Sequence, residues 1–245
     1  MTRLLVVNPN TTAAMTARIG AAAQAAASPG TEILAVQPAE GPASIEGYVD
    51  EAFSVPGLLA EIHAGERAGV DGHVIACFDD TGLDAARSLA SAPVVGIGEA
   101  AFHMASLLAG RFSVVTTLSR SIPAIEHNLV RYGLAARCAR VRASEVPVLA
   151  LDEPGSDAAA RISVEIERAK AEDRAEAIVL GCAGMAELAA RLSAQHGLPV
   201  LDGIACAIRL AEGLAALGLR TSKLGGYARP LPKAYAGRWG DIVAE

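Results

Sequence analysis

The chain has 245 residues, of which 52% are hydrophobic and only 4% aromatic, with 24 Gly, 12 Pro and a mean hydropathy of +0.34. This composition excludes a disordered or collagen-like chain, and the length is enough to bury a large core without disulfide or metal staples. A net charge of −6, from 27 acids and 21 bases with no basic run longer than two residues, leaves no electrostatic footprint for nucleic acid, so a small molecule is the expected partner.

The opening residues, MTRLLVVNPN, contain one Arg and a short apolar run, less than the roughly 7–15 apolar residues of an export signal, so none is expected. No stretch reaches the roughly 18 uninterrupted apolar residues of a membrane helix, and a soluble, cytoplasmic protein with no membrane partner is expected. From Leu4 onward, short β-branched runs alternate with Ala-rich amphipathic runs, which is the pattern of a parallel sheet covered on both faces. Strands are expected at 4–7, 32–36, 73–76, 94–97, 112–116, 138–142, 177–181 and 199–201. Helical patterns lie between them, including TTAAMTARIGAAAQAAA, LDAARSLA, AAFHMASLLAG, AAARISVEIERAKAE, MAELAARLSAQ and GIACAIRLAEGLAAL. The segment 37–57 reads as the longest loop, and TSKLGGYARPLPKAYAG as an irregular tail.

The chain also resembles itself. HVIACFDDTGLDAARSLASAPVVGIG, from His73, aligns with AIVLGCAGMAELAARLSAQHGLPVLDG, from Ala177, which puts Cys77 on Cys182. RLLVVNPNTTAAM, from Arg3, parallels RFSVVTTLSRSIPAI, from Arg111, which puts Asn8 to Thr11 on Thr116 to Ser119. Each half thus supplies a polar loop and a cysteine loop at strand ends, where parallel α/β sheets bind ligands.

Four cysteines, Cys77, Cys138, Cys182 and Cys206, show neither a CxxC pair nor a neighbouring His at ligand spacing, so no zinc site is expected. Cys138 and Cys206 read as core residues, Cys206 from its place in an apolar helical pattern. Cys77 and Cys182 read as reagents, because a thiol at a strand-to-helix junction meets helix amides that favour its thiolate. Two equivalent thiols facing one carbon from opposite sides can remove a proton from one face and return it to the other, which is racemisation or epimerisation.

NPNTT, CFDDTGLDAAR, VVGIGEAA, VTTLSRSIPAIE, VLGCAGM and LDG together resemble the hydantoin racemases and the related allantoin racemases of the aspartate/glutamate racemase superfamily. The resemblance spans essentially the whole chain. It implies an α/β fold of two pseudo-symmetric lobes, each a mainly parallel sheet flanked by helices, with an active site between them that uses neither cofactor nor metal. On this reading one lobe comprises residues 1–98 plus 203–245 and the other 99–202, and the protein is a homo-oligomer. By motif, Cys77 and Cys182 are the acid and base pair. Asn8, Thr116 and Thr117 hold the substrate, and backbone N–H groups around Phe78, Asp79, Ala183 and Gly184 bind the developing enolate oxygen.

The amino-acid racemases of the superfamily carry Cys-Asn-Thr and Cys-Thr-His, whereas Phe78-Asp79 and Ala183-Gly184 follow the cysteines here. This points away from free aspartate or glutamate and toward a planar uncharged ring, a 5-monosubstituted hydantoin, with allantoin as the alternative. A same-fold decarboxylase, a cis–trans isomerase and a non-catalytic ligand-binding protein are the other readings. Asp79 and Asp80 could bind a metal or cap the helix beginning near Leu83, and capping is the expectation; Asp202 either caps a helix or orients a group. The five histidines read as structural or exposed, with His103 the one that could approach the site.

Overall fold

A computed structural model describes residues 1–152 and 155–236. Eight strands and eight α-helices alternate along them. The first half runs β1 Arg3–Val7, α1 Ala13–Ala26, β2 Glu32–Val36, α2 Tyr48–Arg67, β3 Gly72–Ile75, α3 Leu83–Leu89, β4 Val94–Gly96 and α4 Ile97–Leu108. The second runs β5 Phe112–Thr116, α5 Ile122–Arg131, β6 Cys138–Ala143, α6 Ala158–Arg168, β7 Ala177–Gly181, α7 Ala189–His196, β8 Val200–Asp202 and α8 Gly203–Ala216. All eight strands fall where the β-branched runs predict them.

The strands form two four-stranded sheets with the same connectivity, β2-β1-β3-β4 and β6-β5-β7-β8. Helices cover the faces, so the central strands are largely apolar rather than alternating; β3, β5 and β7 are buried at every residue, including the polar His73, Ser113 and Thr116. The chain divides into two compact units, one of Met1–Ile75, Thr81–Val95 and Ile208 onward, the other of Ala76–Asp80 and Gly96–Ala207.

The internal repeat is visible in the pairing itself. β1 pairs with β3 from Leu4↔Gly72 to Val7↔Ile75, and β5 with β7 from Phe112↔Ala177 to Val115↔Leu180. Adding 108 to the first residue and 105 to the second carries each pair of one sheet onto a pair of the other, 4 to 112 and 72 to 177. The flanking bonds follow suit: the His73 and Ile178 amides donate to the carbonyls of Pro93 and Pro199, at 2.8 and 2.9 Å.

Two segments depart from the sequence expectation. The stretch 37–57 is a loop only as far as Gly47, because α2 begins at Tyr48 with Asp50 and Glu51 in its first turn, where acids complement the helix dipole. Pro56 lies inside this helix and Gly57 follows it; a β-carbon on Gly57 would stand 2.6 Å from Pro38, so the glycine lets the incoming loop pack on the helix. At the end of α6 the chain makes a π-turn, Ala169–Asp173, closed by Arg174 in the left-handed region. The turn delivers Asp173 to the buried Arg142 of β6 in a two-pronged ion pair of 2.6 and 2.7 Å, with Ser113 donating to the same carboxylate. Arg142 holds the Asp173 carboxyl below its ordinary value against the opposing effect of burial.

The tail from Thr221 to Ala236 is irregular apart from one 3₁₀ turn at Gly225–Tyr227, and Gly237 lies outside the described residues. It is strapped onto α3: Lys223 Nζ donates to the carbonyls of Arg87 and Ser88, and the Tyr227 hydroxyl to Asp84 at 3.1 Å. Among the described residues no helix is long and apolar enough to cross a membrane.

Candidate active site

Cys77 and Cys182 occupy register-equivalent positions, two residues beyond Ile75 and Leu180. Each opens a tight turn in which the amide three residues on returns to the cysteine carbonyl, Asp80 to Cys77 and Met185 to Cys182, at 3.1 Å in both. Neither cysteine is in a disulfide, and both are half-buried. The turns then diverge. Cys182 is the N-cap of a 3₁₀ segment, Ala183–Leu188, that runs into α7, so helical amides begin directly after the thiol. After Cys77 the chain makes a further turn and α3 starts only at Leu83, so the helix-terminal setting expected at both cysteines is found at Cys182 alone.

The Cys77 turn is held instead by two helices of the second unit. Asp80, 4% exposed and at φ +51, accepts the Gly98 amide on Oδ1 at 3.0 Å and the Glu99 amide on Oδ2 at 2.7 Å. It therefore caps α4, not the helix at Leu83, whose N-cap is Gly82. The Tyr132 hydroxyl donates to Oδ2 at 2.8 Å, and Asn128 Nδ2 to the Asp79 carbonyl at 2.8 Å. Burial pushes the Asp80 carboxyl up to about 7, against Tyr132 and the two amides, which favour the anion. The Tyr132 phenol is in turn raised, by burial and by the neighbouring Asp80.

Phe78 turns its ring into the core. It is 4% exposed and meets Phe102 edge to face, with centroids 5.4 Å apart; Phe102 stacks on Phe112 at 6.0 Å. Three of the four phenylalanines thus stand together beneath the Cys77 turn. What Phe78 offers at the turn is backbone, and a β-carbon on Gly98 would collide with its carbonyl.

On the other turn, Gly184 lies beside the thiol, since a β-carbon there would stand 3.8 Å from Cys182 Sγ and 3.0 Å from Leu151. Ala183 is buried. Thr116 pairs with Gly181 and donates its hydroxyl to the Gly181 carbonyl at 3.0 Å, which anchors the residue before Cys182. Thr117, one residue beyond that pair, is buried, and its carbonyl accepts the Val146 amide at 3.3 Å.

Asn8 is the one expected site residue in the first unit. Its Nδ2 donates to Asn10 Oδ1 and Thr16 Oγ1, at 2.9 and 3.0 Å, and its Oδ1 accepts the Asn10 amide, so the side chain shapes the NPNT loop. The other eight, Cys77, Phe78, Asp79, Thr116, Thr117, Cys182, Ala183 and Gly184, belong to the second unit. Asp202 caps α8 through the Ala205 amide at 2.8 Å. His103 is exposed on α4, and His73 is fully buried against Glu66. Burial raises the thiols of Cys138 and Cys206 to about 12, which leaves both protonated near neutrality. Sequence reasoning missed the roles of Tyr132 and Asn128, for which no local motif exists. Among the described residues no cluster of His, Cys, Asp and Glu could hold a metal ion.

Known proteins match this chain along nearly all of it. The family described as Asp/Glu/Hydantoin racemase matches residues 4–211. A hydantoin racemase of Rhizobium meliloti is 52% identical over 232 residues, covering 95% of this chain and 96% of its own. One of Pseudomonas sp. (strain NS671) is 47% identical over 235 residues, covering 96% and 94%. The solved structure of an allantoin racemase from Klebsiella pneumoniae superposes with a TM-score of 0.97 at 51% identity, covering 99% of each chain. With a family match over residues 4–211 and 52% identity to a hydantoin racemase along 95% of its length, the chain belongs to the Asp/Glu/hydantoin racemase family.

Proposed function

We propose that the protein racemises 5-monosubstituted hydantoins at C5, without a cofactor, using Cys77 and Cys182 as paired bases. The observation that carries this reading is the register equivalence of the two cysteines, in a chain 52% identical to a hydantoin racemase over 95% of its length. The C5 proton of such a ring lies between a carbonyl and an acylated nitrogen, which makes it acidic enough for a thiolate. One thiolate takes the proton, the electron pair delocalises into the C4 carbonyl as an enolate, and the other thiol returns a proton from the opposite face. The first cysteine then carries the proton and the second the charge, so the reverse direction begins with the roles exchanged. Amides of the two turns, around Phe78, Asp79, Ala183 and Gly184, are the donors assigned to the enolate oxygen. Asn8, Thr116 and Thr117 support the loops that receive the ring. A homo-oligomer acting in the cytoplasm completes the proposal.

Allantoin, a ureido-substituted hydantoin, is the second reading, favoured by the 51% identity and close superposition with the Klebsiella pneumoniae allantoin racemase. Arylmalonate decarboxylase shares only the fold, at 14% identity and a TM-score of 0.59.

The test follows loss of optical rotation from single enantiomers of benzyl-hydantoin, isobutyl-hydantoin and allantoin in D₂O, with mass detection of deuterium at C5. The expected result is racemisation with deuterium uptake in the wild type. Cys77→Ser and Cys182→Ser each lose racemisation, with one-sided exchange of a single enantiomer surviving in at least one of them. The faster ring names the substrate. If the wild type exchanges no C5 proton from any ring, the reading is wrong.

A further inference from the structure

The two halves cap equivalent helices by different means. In the second half the cap is local: Asp202, at the end of β8, accepts the Ala205 amide of α8. The repeat places Gly96 at that position in the first half, 106 residues earlier, and α4 begins there with no side chain of its own to accept its amides. Asp80, from the Cys77 turn, accepts them instead. The counterpart of Asp80, 105 residues on, is Met185, a fully buried core residue. The repeat has thus exchanged an acid at the strand end for an acid in the thiol turn.

A cap drawn from a distant turn does more than satisfy a helix. It ties the turn to the helix, and here the tie is made at several points. The Asp80 amide closes the turn onto the Cys77 carbonyl, its carboxylate binds two α4 amides, and Tyr132, the C-cap of α5, donates to the same oxygen as Glu99. Asn128 holds the intervening Asp79 carbonyl. A left-handed φ at a residue other than glycine costs of order 1 kcal/mol and persists where the surroundings over-determine it, as they do at Asp80.

We propose that Asp80 is a positioning residue for Cys77: by capping α4 from within the thiol turn it latches that turn in place, so that the reactivity of Cys77, and not that of Cys182, depends on it. The inference rests on the reading of Cys77 as a proton-transferring group, but its test does not require that reading to hold.

The test exchanges the cap back. Asp80→Gly removes the carboxylate without straining a backbone at φ +51, and the double variant Asp80→Gly/Gly96→Asp puts the acid at the strand end, where the backbone, at φ −82 and ψ 143, suits an N-cap. The conservative control is Asp80→Asn, which can still cap and still tolerates the left-handed turn. Each protein is thermally unfolded, and the iodoacetamide alkylation rate of each cysteine is read by peptide mass spectrometry, with Cys182 as internal reference. Asp80→Gly is expected to lower Tm and change the Cys77:Cys182 rate ratio at least fivefold. The double variant recovers most of the Tm without recovering the ratio, and Asp80→Asn keeps the ratio within twofold. Recovery of both Tm and ratio in the double variant would make Asp80 a cap and nothing more, and a change shared equally by both cysteines would also overturn the proposal. Where Asp80→Gly does not fold, Tyr132→Phe, which removes a single donor, must move the ratio at least twofold for the proposal to stand. The expected ratios in a protein that exchanges no hydantoin or allantoin proton would uphold the latch and refute the racemase reading.

Discussion

The carboxylate of Asp80 occupies the space that a side chain on Gly96 would need: a β-carbon there would stand 2.5 Å from Asp80 Cγ and closer still to Oδ1. Gly96 has an ordinary extended backbone, so it is glycine for lack of room and not for conformational freedom.

Gly96→Ala is therefore expected to destabilise the fold by about 2–3 kcal/mol, the upper range for overpacking a buried site, read as a shift in urea midpoint. Asp80→Gly introduced beside it removes the obstructing group, so the double variant is expected to be more stable than the sum of the single changes by at least about 1 kcal/mol. Strict additivity would mean that the two sites do not meet.

Gly181 is crowded in a less forgiving way. Its β-carbon would lie 2.8 Å from Thr116 Cβ and 2.9 Å from Thr116 Cα, atoms that cannot swing aside. Gly181→Ala should cost about 2–3 kcal/mol. Because Cys182 is the next residue, racemisation should fall at least tenfold even well below the lowered Tm. A variant with normal Tm and normal turnover would show that β5 and β7 have slack the structure does not display.

Cys138 and Cys206 provide the contrast. With both thiols held up at about 12 by burial, neither is a base near neutrality. Cys138→Ala and Cys206→Ala are expected to keep turnover within about twofold per folded molecule and to cost about 1 kcal/mol each through lost packing. A tenfold loss of turnover in either, with Tm intact, would reopen the choice of catalytic cysteines.

Glu66 sets a pH dependence of stability. Burial alone would raise its carboxyl, but His73 at 2.9 Å and the amides of Ser91 and Ala92 hold it down at about 2. A carboxyl lowered by folding stabilises the native state above its unfolded value, near 4.5, and that contribution drains away as pH falls from about 5 toward 2. Glu66→Gln should cost on the order of 2 kcal/mol at pH 7 and almost nothing at pH 2. Parallel urea-midpoint curves for the two proteins across that window would refute the assignment.

Much of this architecture was legible in the sequence because sheet strands buried on both faces are mostly apolar and β-branched, as VVG, FSVVT and AIVLG are, and helices must change period. The repeat was legible because Cys77 and Cys182, and Pro93 and Pro199, keep nearly constant spacing. The start of α2 was not, because Gly47, Pro56 and Gly57 punctuate the segment as a loop would, while in the fold Gly57 lies where Pro38 packs. The cap of α4 was hidden for a different reason. Caps are read from the residues beside a helix, and this one comes from Asp80, 18 residues before the Gly98 amide it accepts. Asn8 and Thr116 were found by their loops, yet their hydrogen bonds run to Asn10, Thr16 and Gly181. Such partners are set by how loops close, and no spacing encodes them.

The unequal turns that follow Cys77 and Cys182 carry a kinetic consequence under the proposed racemisation. Two enantiomers have the same free energy, so their interconversion has an equilibrium constant of one, and kcat/KM must be equal from either side however different the two thiols are. Whatever the Asp80 latch does for Cys77 can therefore appear only as matched differences in kcat and KM, one enantiomer bound more tightly and turned over more slowly than its mirror image. The asymmetry of the protein is visible in saturation and invisible in efficiency.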